Sequence, residues 1–375
     1  MIPVNEPLLS GREAEYVADC LKTGWISSSG RYIERFEKGW AAYCGRRHGV
    51  AVGSGTAALQ LAVSALELPA SAEVLLPAFT IVSCLEAVLR NGLVPVLVDC
   101  DPRTYCMDIA DLRRKISPRT VAAMPVHIYG HPVDMEPLLA LCARRRLRLV
   151  EDAAEAHGAE CRVRGRWRRC GSFGDLSAFS FYANKNITCG EGGMVLTDDD
   201  VLAAKLRCRR NLCFGAVERF CHADRGWNFR MTNMQAAVGC AQLERIVRFL
   251  ARKRELAARY GKGLAGLPLG LPRVAPWARS SVWMYPVRLK DSVPFDAAEL
   301  SRRLKLEGVE TRPFFRGLDA QPCYRKMGLF RGRALPETAH IQARGLLLPS
   351  GQAITDAQIS HVIRAVRSAL SRGRG

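Results

Sequence analysis

The sequence predicts an α/β fold built on a mixed, mostly parallel sheet covered by helices, with a smaller C-terminal α/β domain, and three observations carry that prediction. Short apolar runs alternate with amphipathic stretches, the pattern of strands joined by crossover helices. The 375 residues, 48% hydrophobic and 24% charged, suffice to bury a large core. A Gly/Pro-rich stretch at 261–276 interrupts the alternation and divides the chain into a large domain, 1–260 with its N-terminal arm, and a small one, 261–375. Taken in order, 49–52 reads as a strand that opens onto a helix over 57–66. Further strands are expected at 74–77, 93–99, 121–128, 147–152, 176–181 and 194–197, with a helix at 135–146. Thr232 and Gln235 have capping-box spacing, and Leu243, Ile246, Val247 and Leu250 carry one long helix towards Tyr260. Beyond the boundary, 282–289 and 310–315 read as strands, and Ile359, Val362, Ile363, Val366 and Leu370 form one face of a final helix. There is no internal repeat.

Composition excludes several classes of function. The start, Met1 to Pro7, has neither the basic nor the apolar run of a signal peptide, and no apolar stretch is long enough to span a membrane, so a cytoplasmic protein is expected. Fourteen cysteines are scattered without a Cys-x-x-Cys pair and are expected to be reduced, mostly buried side chains. His127 and His131 are four apart, but Pro125 and Pro132 argue against a helical ligand pair, so no metal is expected. The net charge of +19 comes mainly from arginine, in runs at 144–146, 162–169 and 207–210. Such a field attracts polyanions, which makes a basic nucleic-acid-binding protein the alternative from another class. Yet the runs are dispersed, Trp167 alone is interleaved with them, and no recognition motif accompanies them. A small substrate bearing a diphosphate needs the same sign of charge.

The chemistry centres on Lys185, within Ser180 to Gly193, between two strand-like runs and thirty-three residues beyond the strand end Glu151-Asp152. This is the constellation that holds pyridoxal phosphate: only a lysine forms a Schiff base with the aldehyde, and a carboxylate keeps the pyridine nitrogen protonated. Gly53-Ser54-Gly55-Thr56-Ala57-Ala58 adds small residues, free amides and a hydroxyl at a helix N-terminus, an anion cradle. By itself its Gly-x-Gly-x-x-Ala pattern also fits a dinucleotide fingerprint, which leaves the lysine and the acidic strand end unexplained.

In sequence order, 53–59, 77–83, 151–158, 179–193 and 226–237 resemble the successive motifs of the DegT/DnrJ/EryC1/StrS sugar aminotransferases, and the likeness runs from Trp25-Ile26-Ser27-Ser28 to the last helix. The resemblance implies a fold-type I enzyme dependent on pyridoxal phosphate and active as a homodimer with shared sites. It implies that Lys185 carries the cofactor and then serves as general base and acid, and that Asp152 faces the pyridinium nitrogen. Glu155 falls near the ring's phenolic oxygen, where a carboxylate needs a proton or a neighbouring donor. Gly55, Thr56 and Ser180 hold the phosphate and Asn228 crosses to the partner's phosphate; Ser28 and Arg230 are candidate substrate contacts, a salt bridge within the protein being the alternative for Arg230. The implied reaction moves an amino group from L-glutamate to C4 of a nucleotide-linked 4-keto-6-deoxy sugar. Tyr182-Ala183-Asn184-Lys185 points to GDP-4-keto-6-deoxy-D-mannose, the alternative being C3 of a UDP- or dTDP-linked keto sugar. Ile81 departs from the pattern by standing where the family stacks an aromatic on the cofactor ring, and Ala183 replaces a glycine. Phe79, two residues from Ile81, shares its face of a strand but not its location.

Overall fold

The computed structural model describes residues 1–215, 218–222, 224–332 and 334–371. The first body contains β1 (His48–Val52), β2 (Glu73–Pro77), β3 (Val94–Val98), β4 (Thr120–Ala123) and β5 (Arg148–Asp152), then a hairpin of β6 (Glu160–Val163) and β7 (Arg166–Arg169), then β8 (Leu176–Ser180) and β9 (Gly193–Thr197). Seven of these form one sheet in the order β1-β9-β8-β5-β4-β2-β3. Strands β2, β3, β4, β5 and β8 pair in parallel, whereas β9 runs antiparallel to both β1 and β8. Every residue of β2, β8 and β9 is buried. Burial on both faces is why these strands read as continuous apolar runs rather than as alternation.

The second sheet has the order β10 (Leu269–Gly270), β12 (Tyr285–Leu289), β14 (Gly345–Leu348), β13 (Arg312–Pro313), all antiparallel. Its core joins Leu256 and Tyr260 to Leu300, Leu346, Val362 and Val366. Other C-terminal residues, among them Trp283, Phe314, Leu318 and Ile341, pack into the core of the large sheet, and β11 (Ala278–Arg279) pairs with β6.

Four elements differ from expectation: the strand expected at 282–289 begins only at Tyr285, because Val282 takes a left-handed turn (φ +51°), and three others differ, each for a local reason. The strand expected at 121–128 ends at Ala123: Pro125 has no N–H to donate, and its carbonyl instead accepts from Asp152. The long helix is two helices, Asn233–Leu243 and Ile246–Gly263, because Arg245 (φ −112°, ψ 4°) leaves helical geometry and donates to the Gln242 carbonyl three residues back. That break turns Val247, expected on the apolar face, out to solvent. The strand expected at 310–315 is reduced to Arg312–Pro313. The Thr232–Gln235 capping box forms as the spacing predicts. All fourteen cysteines are unpaired, and all but Cys208, Cys221 and Cys323 are buried. Among the described residues, no helix is long and apolar enough to cross a membrane.

Candidate active site

The carboxyl ends of β1, β5 and β8 lie on one edge of the large sheet, the edge where open α/β sheets bind ligands. There a cavity of about 410 Å³ is lined by Ser54, Gly55, Thr56, Asp152, Glu155, Ser180 and Lys185. Its floor is the start of the helix Gly55–Ala65. Ser54 caps that helix by accepting from the Ala57 N–H, leaving the Gly55 and Thr56 amides in the turn that has no intrahelical acceptors. The Thr56 hydroxyl lies 2.8 Å from that of Ser83. Two glycines allow this closeness. A Cβ on Gly55 would lie 2.6 Å from the Ser180 Cβ, and one on Gly193 would lie 2.3 Å from the Ser54 carbonyl oxygen. Amides at a helix N-terminus with hydroxyls beside them suit a phosphate.

Asp152 ends β5 with its carboxylate buried. Its two oxygens accept from the Cys84 thiol (3.0 Å) and the Ala154 amide (3.0 Å). Burial raises this carboxyl above its usual range, while the Cys84 hydrogen bond and the Lys185 charge oppose the rise. A cationic ring nitrogen opposite it would restore the anion. Glu155 is buried too, accepts from the Tyr129 amide at 2.7 Å, and is pushed up to about 7 by burial. Near neutrality it is therefore partly protonated, which eases the repulsion that a carboxylate would meet beside a phenolic oxygen. Lys185 keeps some exposure towards the cavity, yet the surrounding protein desolvates it enough to lower its basicity, against the pull of Glu155 and Asp152. A lowered ammonium releases its proton more readily, as a nucleophilic amine must.

Six of the expected site residues thus meet in one cavity, and three do not. Ser28 and Arg230 line a separate cavity of about 570 Å³ with Arg207, Arg210 and Arg219. Arg230 there donates to the Asn211 side chain (2.7 Å), and Asn228, exposed, pairs by its backbone with Asn211. Ile81 lines the 410 Å³ cavity, and Phe79 does not replace it: its ring is fully buried among Tyr105, Tyr129, Phe314 and Phe315. The aromatic walls are instead Tyr182, Trp283 and Phe315. Trp283, Phe315, Arg312 and the Asp152 partner Cys84 escaped the sequence reading. They come from segments with no catalytic motif, and only the Phe-Phe pair at 314–315 stands out in the text of the chain.

Glu151 points away from the cavity. Its carboxylate accepts from the amides of Gly171, Phe173 (3.0 Å) and Gly174 (3.3 Å) and from His127 Nε2 (2.9 Å). His127 Nδ1 in turn accepts from the Val133 amide (3.0 Å), which assigns the ring proton to Nε2. Cys170 lies close to this pair, its thiol raised well above the ordinary value by burial. The acceptor positions of Glu151 and His127 are committed to hydrogen bonds, and the two side chains fasten the 171–174 loop.

Residues 7–367 match the sequence profile of the DegT/DnrJ/EryC1/StrS aminotransferase family. The chain belongs to this family. It is an aminotransferase, as the lysine–carboxylate cavity already indicated. A GDP-perosamine synthase of Caulobacter vibrioides is 42% identical over 371 residues, 98% of each chain, and one of Vibrio cholerae is 37% identical over 98% of this chain and 99% of that one. Among solved structures, S. venezuelae DesV in complex with a ketimine intermediate superposes with a TM-score of 0.87 at 37% identity, covering 95% of this chain and 94% of that one. The aminotransferase TlmJ of Streptoalloteichus hindustanus superposes with a TM-score of 0.92 at 30% identity over 99% of both chains.

Proposed function

We propose that this aminotransferase uses pyridoxal phosphate to move an amino group from L-glutamate to C4 of GDP-4-keto-6-deoxy-D-mannose, giving GDP-perosamine. The observation that carries the cofactor assignment is the cavity itself: a desolvated lysine beside two buried carboxyls, with a helix N-terminus and three hydroxyls at its floor. The group fits these residues. Pyridoxal phosphate, when bound, supplies an aldehyde that condenses with amines and a ring that accepts the electrons released at the amine-bearing carbon. The Gly55 and Thr56 amides and the Thr56 and Ser180 hydroxyls would hold its phosphate. Asp152 would keep the ring nitrogen protonated, and Glu155 in its protonated form would donate towards the phenolic oxygen. Lys185 Nζ would take a proton from the donor's carbon and return it when the keto sugar is aminated.

The sugar assignment rests on relatives of the perosamine name that cover nearly the whole chain, and on Tyr182-Ala183-Asn184-Lys185. We propose further that the enzyme is a homodimer in which Asn228, Arg230 and Ser28 complete the partner's site. That none of the three lines the Lys185 cavity supports this, as does the exposure of Trp25 and Ile26 beside Ser28 and of Tyr182, which lines that cavity. The cytoplasm is the proposed compartment, since unpaired cysteines suit a reducing environment. Specificity constants for GDP-, UDP- and dTDP-linked 4-keto-6-deoxy sugars test the substrate. The GDP sugar is expected to lead by at least about a hundredfold, because losing contacts to a base-reading site costs several kcal/mol. Preference for a UDP- or dTDP-linked sugar would overturn the substrate and leave the aminotransferase intact.

A further inference from the structure

Lys253 lies on the helix Ile246–Gly263, is 1% exposed, and has no carboxylate partner among the described residues. Its Nζ donates instead to two main-chain carbonyls, those of Trp283 (2.9 Å) and Ser350. Burying an ammonium against carbonyls alone is unfavourable, and burial here lowers its pKa to about 7. What the residue contributes is position, because it ties the long helix to two distant loops.

One of those loops presents Trp283 to the reactive lysine. The indole Nε1–H donates to the carbonyl of Asn184 (2.8 Å), the residue just before Lys185, and the Lys185 Nζ sits 3.8 Å from the centre of the indole ring. The Trp283 amide donates to the Tyr129 carbonyl (3.1 Å), and the Tyr129 amide donates to Glu155. Both turns are strained where they meet: Val282 has φ +51° and Tyr129 φ +53°, left-handed conformations that a β-branched or bulky residue rarely adopts. They brace each other, Ser281 N–H donating to the Gly130 carbonyl (3.0 Å), and a Cβ on Gly130 would meet Ser281 Oγ at 2.6 Å. A carbonyl clamp on Trp283 therefore reaches both the lysine and the Glu155 carboxyl.

We infer that Lys253 is a positioning residue for Lys185: by holding the Trp283 carbonyl it sets the indole against the Lys185 side chain and the carbonyl that precedes it. The inference shares with the proposed function only the identity of Lys185 as the reacting group. A cation over an aromatic face is stabilised, so a displaced indole lowers the affinity of Nζ for its proton.

The test uses full-length wild type, Lys253→Met, Lys253→Gln, Trp283→Leu and the Lys253→Met/Trp283→Leu double variant. In the cofactor-free proteins, acetylation of Lys185 by acetic anhydride is followed by peptide mass spectrometry across pH. The labelling midpoint is expected to fall by about 0.5–1 pH unit in Lys253→Met and in Trp283→Leu. The double variant is expected to add nothing, because both lesions act through one contact. Lys253→Gln, neutral but able to donate to one carbonyl, is expected to shift less. In the loaded enzymes the single-turnover rate with glutamate is expected to fall about tenfold in Lys253→Met, with KM for both substrates within about twofold of wild type. A wild-type midpoint in whichever Lys253 variant folds, or additive shifts in the double variant, overturns the inference. Absence of turnover in the wild type would instead strike the proposed function and leave the labelling result standing.

Discussion

Asp152 and Glu155 sit three residues apart in one cavity with both carboxyls raised by burial, and their partners give them different tasks. Asp152 faces a thiol and an amide that stabilise its anion, whereas Glu155 has one amide and a neighbouring carboxyl. Asp152→Asn keeps the shape and the Ala154 contact but removes the charge. The half-reaction with glutamate is expected to slow by at least about a hundredfold, roughly 3 kcal/mol, in single-turnover kinetics. A wild-type rate in that variant would make the carboxylate structural. Lys185→Ala is expected to abolish turnover and the visible absorbance of bound cofactor. Glu155 yields a prediction about stability. Its folded-state pKa, about 7, lies above the ordinary 4.5, so the folded protein takes up the extra proton and loses stability as pH rises from about 4.5 to 7. Thermal unfolding of the cofactor-free protein is expected to show Glu155→Gln gaining on wild type across that window, by up to about 3 kcal/mol. His131 and His157, lowered to about 4 and about 3 by burial, give the opposite slope in both proteins and cancel in the difference. Parallel stability curves would show that Glu155 does not hold the proton. That Lys185 and Asp152 line one cavity was legible in the sequence, because the chemistry of the proposed cofactor permits few residue types at those positions. Trp283 and Cys84 were not. Trp283 is delivered by a turn that contradicts the β preference of Val282, and Cys84 follows directly on the 77–83 motif without any residue there whose chemistry calls for a thiol.

At the scale of elements, what the sequence revealed was periodicity and what it concealed was interruption. The buried strands β2, β8 and β9 announced themselves as apolar runs, and the Thr232 cap by its spacing to Gln235. The break at Arg245 was hidden because the apolar spacing continues through it, although side chains from the N-terminal segment hold it: Glu244 accepts from Tyr16 and Arg35, and Arg245 donates to Ser10. The anion cradle was half legible. Its glycines and hydroxyls could be read, but not the reason for Gly55, which is the approach of β8 rather than backbone conformation. That reason makes a prediction. Gly55→Ala is allowed by the backbone of a helix start, yet its methyl would lie 2.6 Å from the Ser180 Cβ, so the helix end and the β8 end must part. Pyridoxal-phosphate affinity, measured by titrating the cofactor-free protein, is expected to weaken by at least about tenfold, the effect of losing about 1.4 kcal/mol. Unchanged affinity would show that the phosphate does not rest there.

For the whole molecule, the remaining question is why the expected residues fall into two cavities. Lys185, Asp152 and Glu155 line one, and Ser28 and Arg230 line another with three more arginines and no lining residue in common. Of that arginine group, Arg210 is neutralised by Glu37, and Arg230 is held by a neutral asparagine rather than a carboxylate. A cavity so basic is suited to a diphosphate, yet in one chain it does not meet the reactive lysine. A two-fold dimer reconciles these facts if the arginine cavity and the exposed Asn228 of one protomer adjoin the Lys185 cavity of its partner, since such interfaces present each surface twice. The consequence is measurable with two crippled proteins. On that arrangement Lys185→Ala would lack the reacting amine, and Asn228→Ala would lack a group that acts in the other chain's site. In a heterodimer one site collects both lesions and the other collects neither. Equal mixing with free subunit exchange makes half the dimers heterodimers, so activity is expected to rise to about a quarter of wild type, from near zero for Lys185→Ala alone. Demonstrated exchange with no rise above the average of the two parents would place Asn228 in its own chain's site, and an active monomer would remove the shared site altogether.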